Sequence, residues 1–436
     1  MPNEQPITRE FIRTLPKTDL HLHIDGSIRI NTLIELAREH KVELPSNTEQ
    51  GLRETVFKEH YENLEQYLSG FAYTTRVMQH PEPVERIAYE LAVDNQQEGV
   101  RYIEVRFAPQ LHTQEEFDII DTLRAVARGL ERAKSEFNRR PEIQSGAEPP
   151  FDYAIIVCAM RYFDERFSLY YRSFLRLLRY SHPAQAYAQA SLELAQAAVH
   201  ARRNEGLPVT GIDLAGPEEG YPPHHHGDSY AHAHRGFLHK TVHAGEAYGP
   251  ESIFEAITEL YAERIGHATS LFHAEAVRNE AVTDPQRYVN ELAEYIAARR
   301  ITLEVCLTSN QQTQPRYREL ARHPFGEMMK RRLSVSLCTD NRTVSNTTVT
   351  DEVYKAVTTF GLTRHELQNI LVYGFKRSFY PGDYTEKRSY VRACMDYFDT
   401  LWPPETREAQ TKTTATQRPA RHKRSKGHPP PPDCSR

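Results

Sequence analysis

No stretch of this chain approaches the roughly 18 consecutive apolar residues that a transmembrane helix needs, so no membrane span is expected. The first residues, MPNEQPITREFIRTLPKTD, lack a basic region followed by an apolar core, and no secretory signal is expected. Cysteine is scarce: Cys158, Cys306, Cys338, Cys394 and Cys434 are scattered without a close pair. That spacing speaks against a disulfide framework or a cysteine metal site and fits a reducing cytoplasm. Three of them, Cys158, Cys306 and Cys338, sit inside apolar runs, as small buried hydrophobes do. Neither GxGxxG nor GxxxxGK(S/T) occurs, which removes sequence support for a nucleotide-binding open sheet.

Basic charge is also short where it would matter. The chain has 54 Lys+Arg against 59 Asp+Glu, and the segment from Pro403 onward holds eight and three of these. The remaining body carries 46 against 56, a net of -10, with no footprint for nucleic acid. From residue 403 the sequence is polar, basic and proline-rich. It cannot bury enough surface to offset its ordering entropy, so 403–436 is expected to be disordered. Residues 1–402 are expected to form one domain.

What the body does have is a repeated pattern, an aliphatic or β-branched run that ends in polar residues. It occurs at TDLHLHIDG (18–26), VRYIEVRFAP (100–109), YAIIVCAM (153–160) and VTGIDLAG (209–216). It recurs at KTVHAGE (240–246), RIGHAT (264–269), ITLEVCLTSN (301–310) and LSVSLCTDN (333–341). Such runs predict strands buried on both faces and therefore parallel. Helical spacing lies between them, at 30–40, 83–97 and 191–204. Eight strands alternating with helices predict an α/β fold, a TIM (β/α)8 barrel. Residues 44–80 form a helical insertion between strands 1 and 2. Within it Leu64, Tyr67, Leu68 and Phe71 fall on one helix face, as ordinary core packing or as an apolar lid over the barrel mouth. Residues 139–150 and the histidine-rich 221–236 are expected to be solvated loops, the latter able to pick up metal adventitiously.

Several residues carry chemistry. His21 and His23 lie two apart on a strand and so point to one face. His243, His267 and Asp340 fall at the ends of strands 5, 6 and 8. In a barrel those ends converge over one mouth. Three imidazoles, a carboxylate and an open position for water suit a catalytic zinc site. Glu246, three residues after His243, can shuttle a proton beside it. Each has a plain structural alternative, but their joint placement at strand ends is improbable by chance.

TDLHLHIDGSIR, GIDLAGPE, TVHAGE, RIGHAT, LTSN with a downstream His323-Pro324, and SLCTDN resemble the motifs of the adenosine deaminases, in that family's order. NLEQYLSGF, YIEVRFAP and AIIVCAMR are similar to it as well, and the resemblance covers about residues 9–395. It implies one zinc per chain, held by His21, His23, His243 and Asp340, whose water attacks C6 of adenosine or deoxyadenosine. Glu246 would protonate purine N1. His267 would orient the nucleophile or stabilise its charge. Asp340 would align the nucleophile and pass a proton to the departing ammonia. His23, Asp25, Gly216 and Asn341 would line the substrate site, with Gly216 donating its amide to N3 and Asp25 binding the ribose. Leu64, Tyr67, Leu68 and Phe71 would gate the pocket.

The cytidine-type zinc deaminases need HxE and PCxxC, and neither is present. The fourth strand lacks the bridging lysine of a two-metal amidohydrolase, which implies a mononuclear site. Many family members have Asp where this chain has Asn341. Asn carries a donor for purine N7 at every pH; it can also simply cap the loop after strand 8. The expected partners are a purine nucleoside and water, in the cytoplasm, with no nucleic acid and no membrane. Competing readings are a deaminase of adenine or of another 6-aminopurine nucleoside, and a catalytically silent barrel used for binding. AMP is disfavoured, because no Arg/Lys cluster for a 5′-phosphate accompanies the motifs.

Overall fold

The computed structural model describes residues 7–403, so the tail expected to be disordered lies, after Pro403, outside the described residues. The eight strands are β1 (Lys17–His23), β2 (Val100–Phe107), β3 (Asp152–Met160) and β4 (Val209–Ala215), then β5 (His239–Ala244), β6 (Arg264–His267), β7 (Thr302–Val305) and β8 (Ser334–Leu337). They pair in sequential order, each parallel to the next. Crossover helices cover the outer face of the sheet, and closure of the barrel buries the inner one. The uninterrupted apolar runs of the sequence are the signature of that arrangement. This is the expected TIM barrel.

Barrel closure is made by one residue of special conformation. Asp340 lies three residues past the end of β8 and bridges to Leu22. Its N–H donates to the His21 carbonyl at 2.8 Å, and its carbonyl accepts from the His23 N–H at 2.8 Å. Asp340 thus seals the seam between β8 and β1 and is held there at φ +61°.

Inside the barrel the packing is ionic rather than aliphatic. Arg106 donates to Asp213 and Glu304 at 2.9 Å each. Arg264 donates to Glu304 at 2.7 Å and also to Glu104, all five residues being fully buried or nearly so. Burial opposes the charge on Glu304, but Arg106, Arg264 and His21 hold its carboxyl well below the usual range. Phe379 closes the barrel's N-terminal end, stacked between the His239 ring at 4.5 Å and the Arg264 guanidinium at 3.5 Å. Removing one partner from such a network leaves an uncompensated buried charge. Arg106→Met is therefore expected to lower stability by about 3–5 kcal/mol, read as a shifted denaturation midpoint. A loss below ~1 kcal/mol would show that Asp213 and Glu304 find other partners.

Four local expectations are corrected. Strand 7 ends at Val305, and Leu307–Thr313, which contains the LTSN segment, is a helix. The NLEQYLSGF segment is not one helix: Leu64–Leu68 and Phe71–Arg76 are separated at Ser69-Gly70. Residues 139–150 include a helical turn, Pro141–Gln144, opened by proline at the position where a missing N–H costs nothing. The histidine-rich 221–236 holds a 3-10 turn, Pro223–His226, and a helix, Gly227–Arg235. That helix buries Ser229, Tyr230 and Ala233 at helical spacing and packs beside β5, while its histidines conceal the pattern. Among the described residues no helix is long and apolar enough to cross a membrane.

Candidate active site

The mouth of the barrel gathers His21, His23, His243 and Asp340. Among the described residues they are the one group whose potential ligand atoms all lie close together, within 4.8 Å of one another. His224, His225, His226, His232 and His234 do not form a second. Alternation along β1 points His21 and His23 to the same side, and the Asp340 seam fixes its carboxylate between them. Asp340 Oδ1 lies 3.4 Å from His21 Nε2 and 3.5 Å from His23 Nε2. His23 Nε2 lies 3.2 Å from His243 Nε2.

The ring protons are settled from behind. His21 Nδ1 donates to Glu304 at 2.8 Å, and His243 Nδ1 to Asp213 at 3.0 Å. Their Nε2 lone pairs therefore face one another and the Asp340 carboxylate. His21 Nε2 is buried with no hydrogen-bond partner. Lone pairs converging in a buried space repel unless a cation lies among them, and a carboxylate behind each ligand histidine is the usual arrangement around a metal. The donor set fits a metal ion. Asp213 and Glu304 were not singled out from the sequence, although a lone acid inside a buried apolar strand was the available signal.

Gly266 makes room for the cluster. A Cβ there would lie 2.9 Å from His21 Cε1 and 3.3 Å from the His243 Cα. Just beyond it His267 and Ala268 adopt φ +65° and +53°, and with Asp340 they concentrate left-handed non-glycine backbone at this mouth. The Glu246 side chain is 9% exposed, with Oε2 3.6 Å from His267 Nε2. Burial, then the charges of Asp340 and Glu218, push its carboxyl pKa well above the ordinary value. Glu218 fixes the segment by accepting the Glu246 N–H at 3.2 Å.

Behind His267 runs a buried file of hydrogen bonds. Asn310 Nδ2 lies 3.0 Å from His267 Nδ1, and His323 Nε2 lies 3.2 Å from Asn310 Oδ1. The Phe325 N–H donates to His323 Nδ1 at 3.1 Å.

The residues expected on the substrate side are dispersed around this centre. Asp25 is buried, its Oδ1 unpartnered, and burial raises its pKa to about 7. Gly216 sits at φ +103°, which a side chain would strain although space exists for a Cβ. Tyr67 is buried, its hydroxyl 2.8 Å from Ser345 Oγ and accepting from Asn341 Nδ2 at 2.8 Å. Asn341 Oδ1 has no partner. The expected four-residue apolar face is broken: Leu64 and Phe71 pack partly buried on the core, whereas Leu68 turns outward at 37% exposure.

A model of the adenosine deaminase family matches residues 16–391. The adenosine deaminase of Mycobacterium marinum is 32% identical over 378 residues, covering 86% of this chain and 93% of that one. Adenosine deaminase 1 of Streptomyces coelicolor is 33% identical over 378 residues, covering 85% and 84%. A probable adenosine deaminase of Dictyostelium discoideum is 32% identical over 378 residues; the match spans 86% of this chain but 42% of that protein. The fold is shared with an amidohydrolase of Burkholderia ambifaria containing bound zinc, at TM-score 0.71 and 20% identity over 95% of this chain and 97% of that one. It is shared too with the adenine deaminase of Arthrobacter aurescens, at TM-score 0.64 and 23% identity over 88% and 99%. A sequence match across most of the barrel, with the barrel's own mouth built of histidines and acids, places this chain in the adenosine deaminase family as a hydrolytic deaminase.

Proposed function

We propose that the chain hydrolyses the 6-amino group of adenosine and deoxyadenosine, giving inosine or deoxyinosine and ammonia. In this reading residues 1–402 are one deaminase domain, acting in cytoplasmic purine salvage. The observation that carries it is the convergence of three imidazole Nε2 atoms and one carboxylate beside a buried glutamate of raised pKa. His21, His23, His243 and Asp340 would hold a single zinc, the metal found in the Burkholderia relative. The chemistry zinc supplies there is Lewis acidity, which makes water a competent nucleophile near neutral pH.

The chain's own residues do the rest. Glu246, in its acid form, would donate its proton to purine N1 and leave C6 electron-poor. The charge of a bound cation would offset that of Asp340, but burial is the larger cause of the raised pKa and remains. His267 would present Nε2–H to the oxygen being added at C6. Asp340, starting as a carboxylate, would take a proton from the attacking water and hand it to the departing amine. Gly216 would donate its N–H to N3, and Asp25 would bind a ribose hydroxyl. The Asn341 amide donates one hydrogen to Tyr67; its other N–H would serve N7, with Tyr67 roofing the base. His23 doubles as a wall of the pocket, and Leu64 and Phe71 back the Tyr67 segment.

Two measurements test the reading. Across adenosine, deoxyadenosine, adenine and AMP, followed by the ultraviolet change on deamination, the two nucleosides should have the highest kcat/KM. Preference for adenine or AMP by tenfold or more would replace it, since a tenfold ratio corresponds to about 1.4 kcal/mol of transition-state discrimination. Elemental analysis should return one zinc per chain, and a chelator should abolish turnover until zinc is restored. Two stoichiometric metals would contradict a mononuclear site.

A further inference from the structure

We propose that Asn310 and His323 are positioning residues that hold His267 in the tautomer carrying its proton on Nε2, toward the reacting centre. The inference rests on the reading that His267 faces the substrate. Its starting point is a group whose role admits no choice. The Phe325 backbone N–H can only donate, so His323 Nδ1 is an acceptor and the neutral ring keeps its proton on Nε2. That N–H faces Asn310 Oδ1 at 3.2 Å, which orients the amide. The other end of the amide, Nδ2, can only donate, and it lies 3.0 Å from His267 Nδ1. His267 Nδ1 is then a lone pair, and its proton must sit on Nε2, the atom 3.6 Å from Glu246.

His323, Asn310 and His267 are each 2% exposed or less, so water does not compete for these contacts. The alternative tautomer would set N–H against N–H at the Asn310–His267 contact and leave a buried acceptor unfilled. Hydrogen bonds of the second ring nitrogen fix the first in the same way on the far side of the cluster, where Glu304 and Asp213 hold His21 and His243. The file also gives a role to two sequence features that the catalytic residues do not use, the asparagine of LTSN and the histidine of the HP pair. A merely structural Asn310 would stabilise its helix, Leu307–Thr313, without regard to which end of its amide faces His267.

The test uses the zinc-loaded full chain. Asn310→Asp keeps the shape but puts an acceptor where Nδ2 donated. It is expected to lower kcat by roughly 100-fold, with KM changed less than about threefold, because the loss falls on a group acting in the transition state. Zinc content should be unchanged. His323→Leu should lower kcat by about tenfold or more, and His323→Gln, which keeps an N–H near the Nε2 position, should recover most of that loss. Independently of any variant, long-range proton–nitrogen spectra of histidine-labelled wild-type enzyme should show an Nε2–H ring that vanishes in His267→Gln. An Nδ1–H signal for His267 would overturn the tautomer assignment, as would full kcat in Asn310→Asp. Wild-type kcat in His267→Gln would overturn the catalytic reading of His267 itself, while the wild-type spectrum would still report the tautomer.

Discussion

Alanine at Asp340 is expected to remove zinc and turnover together, leaving well under a tenth of an equivalent of metal and no measurable kcat. The carboxylate is the one anionic member of the cluster, 3.4–3.5 Å from two of the three imidazoles. Without it three neutral rings would have to hold a dication alone. The backbone bonds across the barrel seam survive the substitution, because the N–H and carbonyl of residue 340 make them. The conformation does not survive as easily. At φ +61° Asp is less strained than Ala, so part of any instability would be conformational rather than metal-linked. Asp340→Asn separates the two, since Asn accepts left-handed backbone yet brings no charge to the metal. It should lose most of the activity with less effect on the zinc-free fold. A ligand that binds only the native state raises the melting temperature, so chelation should bring the wild type down to the level of Asp340→Asn. Stoichiometric zinc in Asp340→Ala would remove this residue from the ligand set.

The features visible in the sequence were those that depend on burial pattern. All eight strands begin within a residue or two of the apolar runs that mark them, because a parallel strand covered on both faces leaves no polar alternation to misplace. The chemistry-bearing ends were visible for a related reason: His21, His243 and His267 stand where short aliphatic runs give way to polar residues. What escaped was set by conformation or by distant partners. Nothing local marks Asp340 or His267 as left-handed, since neither is glycine. The helix Gly227–Arg235 escaped because histidines occupy its exposed face and only three small or aromatic residues its buried one. The exposure of Leu68, in the same short helix as the buried Tyr67, and the helix break that follows it are both features that periodicity alone smooths over. Glu304 and Asp213 become meaningful only when β7 and β4 bring them behind rings from β1 and β5. A single strand carries no sign of such a pairing.

Glu246→Gln is expected to lower kcat by roughly 10²–10⁴, the range for losing a general acid–base group, while zinc content stays at the wild-type value. Glutamine keeps the size and can still donate a hydrogen bond to N1, but it cannot give up a proton. The glutamate's raised pKa makes the same residue a cost to the fold. Above the ordinary value near 4.5 the unfolded chain releases this proton, whereas burial, helped by Asp340 and Glu218, keeps it bound in the native state. The native state then binds more protons than the unfolded one. Stability from this group therefore falls as pH rises from about 4.5 towards the raised native value, and is fully present only below that window. Glutamine does not ionise and escapes the penalty. The zinc-free Glu246→Gln protein should accordingly melt above zinc-free wild type at pH 7 to 8, with the gap closing as the pH is lowered to about 4. Zinc-free protein is the right material, because a bound dication favours the carboxylate and would shrink the difference. A variant that is slower and more stable would mark Glu246 as a residue kept for chemistry at the expense of the fold. Near-normal turnover would show that N1 takes its proton from another group, and a pH-independent melting gap would show that Glu246 is ionised in the native protein.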